Sequence, residues 1–195
     1  TKPVRGYLAR DMYVDVDMVN CHTVILDNEF REAKIDRTTI GEYINDREGF
    51  LEREGVTKEE VLKMFNKEDY KGDSAALCEI HKQIYTLLVP SILKAHPEMA
   101  AKVHKSRLRN KNGALVANFL QHKEFTILSE VYQFCTKNEM SVDVFMHDGF
   151  FVRLTPVVSR EKVESFIPKF TEVVKAKFGF EMKFKIKEDD LSLVD

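Results

Sequence analysis

The chain of 195 residues has no tryptophan, no long apolar run and no large excess of one charge. A membrane-spanning helix needs about 20 consecutive apolar residues, and the sequence contains no such run. The formal net charge of −2 gives no overall signal for nucleic acid, so any basic surface must be local. Because the start of the chain also lacks a signal-peptide pattern, the sequence predicts a soluble intracellular protein that is not secreted and contacts no membrane.

Cysteine is scarce as well. Cys21, Cys78 and Cys135 are far apart, with no CxxC pair and no Cys/His cluster at zinc spacing. We expect them to be free thiols, mostly buried. The sequence also contains no glycine-rich phosphate loop and no recognisable catalytic triad.

Hydrophobic periodicity predicts an α+β fold with a small antiparallel sheet and helices on one face. Thr57-Lys-Glu-Glu60 is a capping box that is expected to start a helix. Gly179 is expected to close the last helix, which contains Pro168. The strands are predicted at 11–17, 142–147, 150–155 and 180–187, and the other helices at 19–33, 38–54, 58–67, 74–89, 91–108 and 112–137. The helix at 91–108 is expected to be interrupted near Pro97.

Asp17 stands at the end of the first predicted strand. Apolar and polar residues alternate before it, which buries one face of the strand and places Asp15 and Asp17 on the other. Far downstream, His147-Asp148-Gly149 interrupts two β-rich runs, so Asp148 is predicted at a tight hairpin turn. Two carboxylates brought together at strand ends are suited to a Mg²⁺ site in phosphoryl chemistry. Alternatively, Asp17 is a helix N-cap and Asp148 a turn former.

The segments Asp17-Met-Val-Asn-Cys-His22 and His147-Asp148-Gly149 resemble motifs A and C of family A DNA polymerases, in a divergent viral or mobile-element form. The resemblance implies a single palm-like domain over 1–195, with a helical fingers-like insertion at 34–110. It also implies template-directed DNA polymerase activity through two Mg²⁺ or Mn²⁺ ions held by Asp17 and Asp148. The implied partners are a DNA primer-template, deoxynucleoside triphosphates and other domains or subunits of a replication complex, in the cytoplasm, the nucleus or a virus factory.

The same resemblance suggests which residues hold the incoming triphosphate, although the family's motif B spacing is incomplete. That motif has a Lys four residues after its first cation and a Tyr twelve residues after it. Counted from Lys58, the twelfth residue is Tyr70 as required, but the fourth is Leu62. Counted from Glu59, the fourth residue is Lys63. The candidate substrate-binding residues are Arg47, Lys58, Lys63, Tyr70 and His22.

A basic segment, residues 102–111, precedes the predicted helix that carries Gln121. We expect it to contact a nucleic-acid backbone, because it concentrates its cations in a chain of negative net charge. The resemblance adds Gln121, at the minor groove, and His147. The basic candidates are Lys102, Lys105, Arg107, Arg109 and Lys111.

Three other interpretations remain open. Asp15 and Asp17 with Asp148 fit the DxD pattern of primase-polymerases, although the Ser-x-His motif of that family is absent. The incomplete motif B also fits a catalytically degenerate, palm-derived module that binds nucleic acid or protein. The third interpretation is an unrelated α+β domain in which the aspartates serve only as caps and turns.

Overall fold

The computed structural model describes residues 11–187. Their strands form one antiparallel sheet in the order β2-β3-β1-β4. This confirms the predicted α+β class and the hairpin. The strands are β1 (Tyr13–Met18), β2 (Val142–Met146), β3 (Gly149–Arg153) and β4 (Phe184–Ile186).

The two faces of β1 differ as the sequence predicts. Val14, Val16 and Met18 are buried, while the residues between them are half-buried. Directly paired residues of neighbouring strands point to the same face. Phe150, which pairs with Val16, therefore lies on the buried side, and Asp17 points to the opposite face.

Helices make up most of the remaining described residues, and several start with a side-chain cap. Thr57 and Glu60 form the predicted capping box, in which each side chain accepts a hydrogen bond from the other residue's backbone N–H. The helices are α1 (Cys21–Ala33), α2 (Thr38–Asn45), α3 (Arg47–Glu54), α4 (Lys58–Asn66), α5 (Ala75–Gln83), α6 (Val89–Ala95), α7 (Pro97–Lys105), α8 (Lys111–Lys137) and α9 (Arg160–Phe178).

The single helix predicted over 38–54 is wrong, because the chain breaks at Asp46. Asp46 leaves the helical region with φ −143° and ψ 79°. Its side chain then accepts a hydrogen bond from the backbone N–H of Gly49 at 3.0 Å. An aspartate in this position satisfies one of the free donors at a helix start, so it ends α2 and begins α3.

The helix predicted over 74–89 also differs, since a π-helical turn, Ile84–Leu88, follows α5. The Val89 N–H donates to the Ile84 carbonyl, five residues back. Pro90 lacks an N–H and disturbs an ordinary helical ladder. The wider turn lets the chain pass into α6 with Pro90 in its first turn.

The described residues fall into two compact units. We call residues 11–21 with 124–187 the sheet unit, and His22–Lys123 the helical unit. The sheet unit contains all four described strands together with α9. The predicted insertion at 34–110 lies within the range of the helical unit.

Phe170 of α9 is at the centre of the core of the sheet unit. Its side chain is fully buried. Its ring lies 5.8 Å from Phe150 of β3, 5.8 Å from Phe184 of β4 and 6.1 Å from Phe134 of α8, each in an edge-to-face arrangement. These contacts attach the helices to one face of the sheet, and Gly179, in the left-handed region at φ 75°, closes α9 as predicted.

Two other predictions need adjustment. The strand expected over 180–187 contains only the three residues of β4, because only that part pairs with β1. All three cysteines are free, but Cys78 is half-buried and only Cys21 and Cys135 are buried. Among residues 11–187, no helix is both long and apolar enough to cross a membrane.

The Phe170→Ala substitution should destabilise the sheet unit strongly. Removing a buried phenylalanine ring costs about 3–5 kcal/mol, because it leaves a cavity among its neighbours. Phe125→Ala is the matched control, since Phe125 is 60% exposed, and it should cost less than about 1 kcal/mol. The chain has no tryptophan, so circular dichroism in a urea titration would measure the free energy of unfolding. Equal losses in the two variants would contradict this account of the core.

Candidate functional site

Asp17 lies opposite Gly149 in the sheet, at the junction of β1 and β3. The glycine is required there, because a Cβ atom at position 149 would lie 2.3 Å from Asp17 Oδ1 and 2.7 Å from the Val16 carbonyl oxygen. Asp17 does not cap α1 directly, since β1 continues to Met18 and α1 begins at Cys21. Its carboxylate therefore lies against the start of β3.

Asp148 occupies the turn between β2 and β3, as predicted from the sequence. His147 before it has φ 52°, in the left-handed region that a tight hairpin turn demands. The Asp148 carbonyl oxygen accepts a hydrogen bond from the Met18 N–H at 2.8 Å. This bond joins the turn to the end of β1, so the sheet brings Asp17 and Asp148 together.

Lys187, just beyond β4, completes the cluster. Its ammonium group donates a hydrogen bond to Asp17 Oδ2 in an ion pair. Its backbone N–H donates to the Asp15 carbonyl oxygen at 2.9 Å. Burial alone would lower the pKa of Lys187, but the hydrogen bond and charge of Asp17 raise it overall. The lysine therefore stays charged beside Asp17.

The pKa of Asp148 is raised above its ordinary value. Burial is the largest cause, and the charge of Asp17 is the next. Glu124 raises it further, while Lys187 acts in the opposite direction. The same acidic groups act on Cys21, whose thiol pKa is raised well above its usual range by burial, then by Glu124 and Asp148. This end of the sheet is therefore an acidic cluster, and Lys187 neutralises part of it.

The predicted Mg²⁺ or Mn²⁺ site fits this arrangement only in part. Mg²⁺ is commonly held by one or two carboxylates together with substrate phosphates, and Asp17 with Asp148 supplies such a pair. However, one oxygen of Asp17 is occupied by Lys187. No group of three or more metal-binding side chains occurs among residues 11–187. Metal binding by Asp17 and Asp148 stays a prediction.

The four charged or phenolic candidates for triphosphate binding lie on three separate segments of the helical unit. Arg47 begins α3 and pairs with Glu48 at 2.6 Å. Lys58 begins α4 and Lys63 lies in its last turn, and both are exposed. The Tyr70 hydroxyl is buried without a hydrogen-bond partner. It packs over Gly72, where a Cβ atom would come within 2.0 Å of it.

The remaining single candidates are divided between the units. His22, half-buried, lies in the first turn of α1, and Gln121 is exposed on α8; both belong to the helical unit. His147 is exposed in the hairpin turn of the sheet unit. Their predicted roles beside substrate or nucleic acid stay predictions.

The basic segment joins α7 to α8. Lys102, Lys105, Arg107 and Arg109 are exposed, whereas Lys111 is half-buried. The Lys111 ammonium group donates to the His104 carbonyl oxygen at 2.7 Å, so Lys111 ties the connection between the two helices. The other four cations form no ion pair within residues 11–187.

Sequence analysis missed the importance of Lys187 and Gly149. Lys187 belongs to an alternating run in which Lys183, Lys185 and Lys187 are equivalent by pattern. The register places Lys185 opposite Asp17, yet it is the Lys187 side chain that reaches the carboxylate. The only sequence signal for the role of Lys187 was that this alternating run carries its lysines on one face of the strand.

The sequence matches no protein-family model. It is similar to a protein of Sputnik virophage named "Putative helicase V13", with 24% identity over 171 residues. The matched region covers 77% of this chain and 22% of that relative. The chain therefore spans about a fifth of the length of the relative it matches.

This relative contradicts the predicted template-directed DNA polymerase, because its name assigns it to a different activity. An aspartate at a strand end and a His-Asp pair at a hairpin turn also occur as ordinary caps and turns, and here the Asp17 carboxylate is held in an ion pair with Lys187. The sheet does bring Asp17 and Asp148 together as predicted, but this proximity does not establish nucleotidyl transfer.

Asp148→Asn should stabilise the chain at neutral pH. The folded state raises the pKa of Asp148 above its ordinary value of 3.8, so the folded chain binds this proton more tightly than the unfolded chain. The stability that this group contributes is present below about pH 3.8 and is lost as the pH rises through the folded-state pKa. The free energy of unfolding of Asp148→Asn should therefore exceed that of the unmodified chain at pH 7, and the two should converge toward pH 3.

Asp143→Asn is a control whose effect on the free energy of unfolding at pH 7 should have the opposite sign. Hydrogen bonds from Tyr13 and Arg153 lower the pKa of Asp143. Its contribution to stability is present above the unfolded-state pKa and is lost as the pH falls through the folded-state value. This variant should be less stable than the unmodified chain at pH 7. A loss of stability at pH 7 in Asp148→Asn as well would contradict the account of the acidic cluster.

Proposed function

We propose that this chain is a nucleic-acid-binding part of a helicase-like protein, and that its basic segment contacts backbone phosphates. The helicase-like assignment rests on the virophage relative. The observation that carries the proposed binding is the set of exposed cations in the basic segment that have no carboxylate partner among residues 11–187.

The ion pairs of other arginines in the chain support this proposal by contrast. Other arginines of the described residues form ion pairs with nearby carboxylates, whereas Arg107 and Arg109 are exposed and form none within the same residues. The paired cases are Arg31 with Glu32, Arg37 with Asp27, Arg47 with Glu48, Arg53 with Glu42 and Arg153 with Asp143. The guanidinium groups of Arg107 and Arg109 are thus available for phosphate oxygens, which they can bind in bidentate fashion.

The sequence around the segment strengthens the local field. Residues 99–123 contain no Asp or Glu, although the whole chain has 32 acidic residues. Lys123, at the end of this stretch, pairs with Glu29 at 2.7 Å. The exposed cations of the basic segment have no carboxylate partner among residues 11–187, and they act together within a Debye length of about 8–10 Å at physiological salt. A stretch with cations only therefore attracts a polyanion even though the chain has a net charge of −2.

A structural role explains only part of the basic segment. Lys102 and Lys105 lie in the last turn of α7, where cations interact favourably with the helix dipole. Arg107 and Arg109 lie beyond the end of α7 and before the start of α8. Since they belong to no helix terminus, the dipole does not account for them, and phosphate binding does.

Reversing Arg107 and Arg109 to Glu should weaken binding of the full chain to DNA or RNA of many sequences alike. Each phosphate contact contributes about 0.7–0.9 to the slope of log affinity against log salt. The double variant should therefore lower that slope by as much as about 1.4–1.8. Fluorescence anisotropy at a series of salt concentrations would measure both effects.

Lys71→Glu with Lys82→Glu is the matched control, because it changes the net charge by the same amount. Both lysines are exposed in the helical unit and lie outside the basic segment. This control should reduce affinity slightly and leave the salt slope nearly unchanged. Equal effects of the two double variants would refute a specific role for the basic segment.

A further inference from the structure

Leu108 is an exposed leucine between two arginines that form no ion pair within residues 11–187. Its side chain is 54% exposed. Single exposed leucines are common on protein surfaces and need no explanation by themselves. Leu108 differs because Arg107 and Arg109 are its direct neighbours, at the centre of the basic segment. An apolar side chain flanked by cations suits a ligand with an anionic backbone and an apolar interior.

The connection that carries Leu108 is fixed at its first end by Ser106. The Ser106 hydroxyl donates to the Val103 carbonyl oxygen at 2.6 Å, which closes the end of α7. The same hydroxyl oxygen accepts a hydrogen bond from the Leu108 N–H at 3.4 Å. One side chain therefore holds both the helix end and the backbone of Leu108.

The second end is fixed by Asn110. Its side-chain amide donates to the Asn66 carbonyl oxygen at 2.5 Å, at the end of α4. Its Oδ1 accepts from the Gly113 N–H at 2.9 Å. Gly113 is needed for this close approach, because a Cβ atom there would lie 2.5 Å from the Asn66 carbonyl oxygen. Residues 107–109 are thus presented on a connection anchored at both ends, which limits the entropy lost on binding.

We propose that Leu108 is an apolar wedge that inserts between neighbouring base pairs of a duplex, while Arg107 and Arg109 hold phosphates on either side. Proteins that kink DNA insert leucine and similar side chains between base steps and partly unstack them. Consecutive Cα atoms are about 3.8 Å apart, so those of Arg107 and Arg109 lie within about 7.6 Å of each other. The rise of the duplex is about 3.4 Å per step, so two flanking arginines can bracket one step.

This inference rests on the proposed function and adds its substrate class. Phosphate contacts alone do not distinguish single strands from duplexes. A wedge acts only where bases are stacked, so it predicts a preference for duplex at the step that is opened.

The test uses a duplex that contains 2-aminopurine, a base whose fluorescence increases when it is unstacked. Saturating unmodified chain should raise the fluorescence severalfold. Leu108→Ala should raise it far less at the same saturation, and should bind duplex about tenfold more weakly, because inserting an apolar side chain repays the cost of unstacking. Its affinity for a single strand should change less than about twofold, since no stacked step has to be opened.

Two variants control the test. Leu87→Ala removes another leucine of the helical unit that is 53% exposed, and it should behave as the unmodified chain. Leu108→Met keeps an apolar side chain of similar size and should retain the fluorescence signal. Because Leu108 is exposed, none of the Leu108 variants should change the circular dichroism spectrum or the urea midpoint.

The outcomes separate the wedge from the proposed function. If the chain binds duplex without any rise in 2-aminopurine fluorescence, the wedge is overturned and phosphate binding stands. An equal loss of duplex and single-strand affinity in Leu108→Ala also overturns it, since this would indicate packing of the connection. Unchanged nucleic-acid binding in Leu108→Ala also overturns the wedge. If reversal of Arg107 and Arg109 changes nothing, the proposed function fails and the wedge fails with it.

Discussion

The close contact between β1 and β3 at Asp17 and Gly149 is the constraint on which the sheet unit depends. A Cβ atom at position 149 would collide with both the Asp17 carboxylate and the Val16 backbone, so the register of the two strands tolerates only glycine there. That register places Phe150 on the buried face, where it meets Phe170. It also places the Asp148 turn against the end of β1. Core packing and the acidic cluster therefore follow from one pairing.

Several charged side chains are paired in the sheet unit, whereas the exposed cations of the basic segment have no carboxylate partner among residues 11–187. In the sheet unit, Lys187 neutralises Asp17, and Arg153 with Tyr13 holds Asp143. In the basic segment, by contrast, exposed cations have no carboxylate partner among residues 11–187, and the connection that carries them is anchored by side-chain hydrogen bonds. Leaving cations together costs repulsion that a folded chain would reduce by adding acidic neighbours. Under the proposed function, a polyanionic ligand supplies the missing negative charge.

Local sequence predicted helix ends and turns correctly where the residue type has one main structural use. The capping box at Thr57, the left-handed Gly179 and the turn at His147 were all predicted in place. Asp46 shows the limit of this approach, since an aspartate within an apolar period can either lie on a helix surface or start a new helix. The π-helical turn before Pro90 was beyond prediction, because it depends on how the neighbouring turns share hydrogen bonds. Short motifs at Asp17 and Asp148 likewise predicted geometry better than function.

The sequence alone determined the α+β class, the alternation that directs Asp15 and Asp17 away from the core, and the position of the basic segment, because each is encoded by neighbouring residues. Only the tertiary structure decided that Lys187 is the lysine that neutralises Asp17, that burial and Asp17 raise the pKa of Asp148, and that Arg107 and Arg109 lack carboxylate partners among residues 11–187. These properties depend on strand register and on distances between residues far apart in sequence. A period of two places a lysine on a face, but pairing across the sheet selects which one reaches the carboxylate.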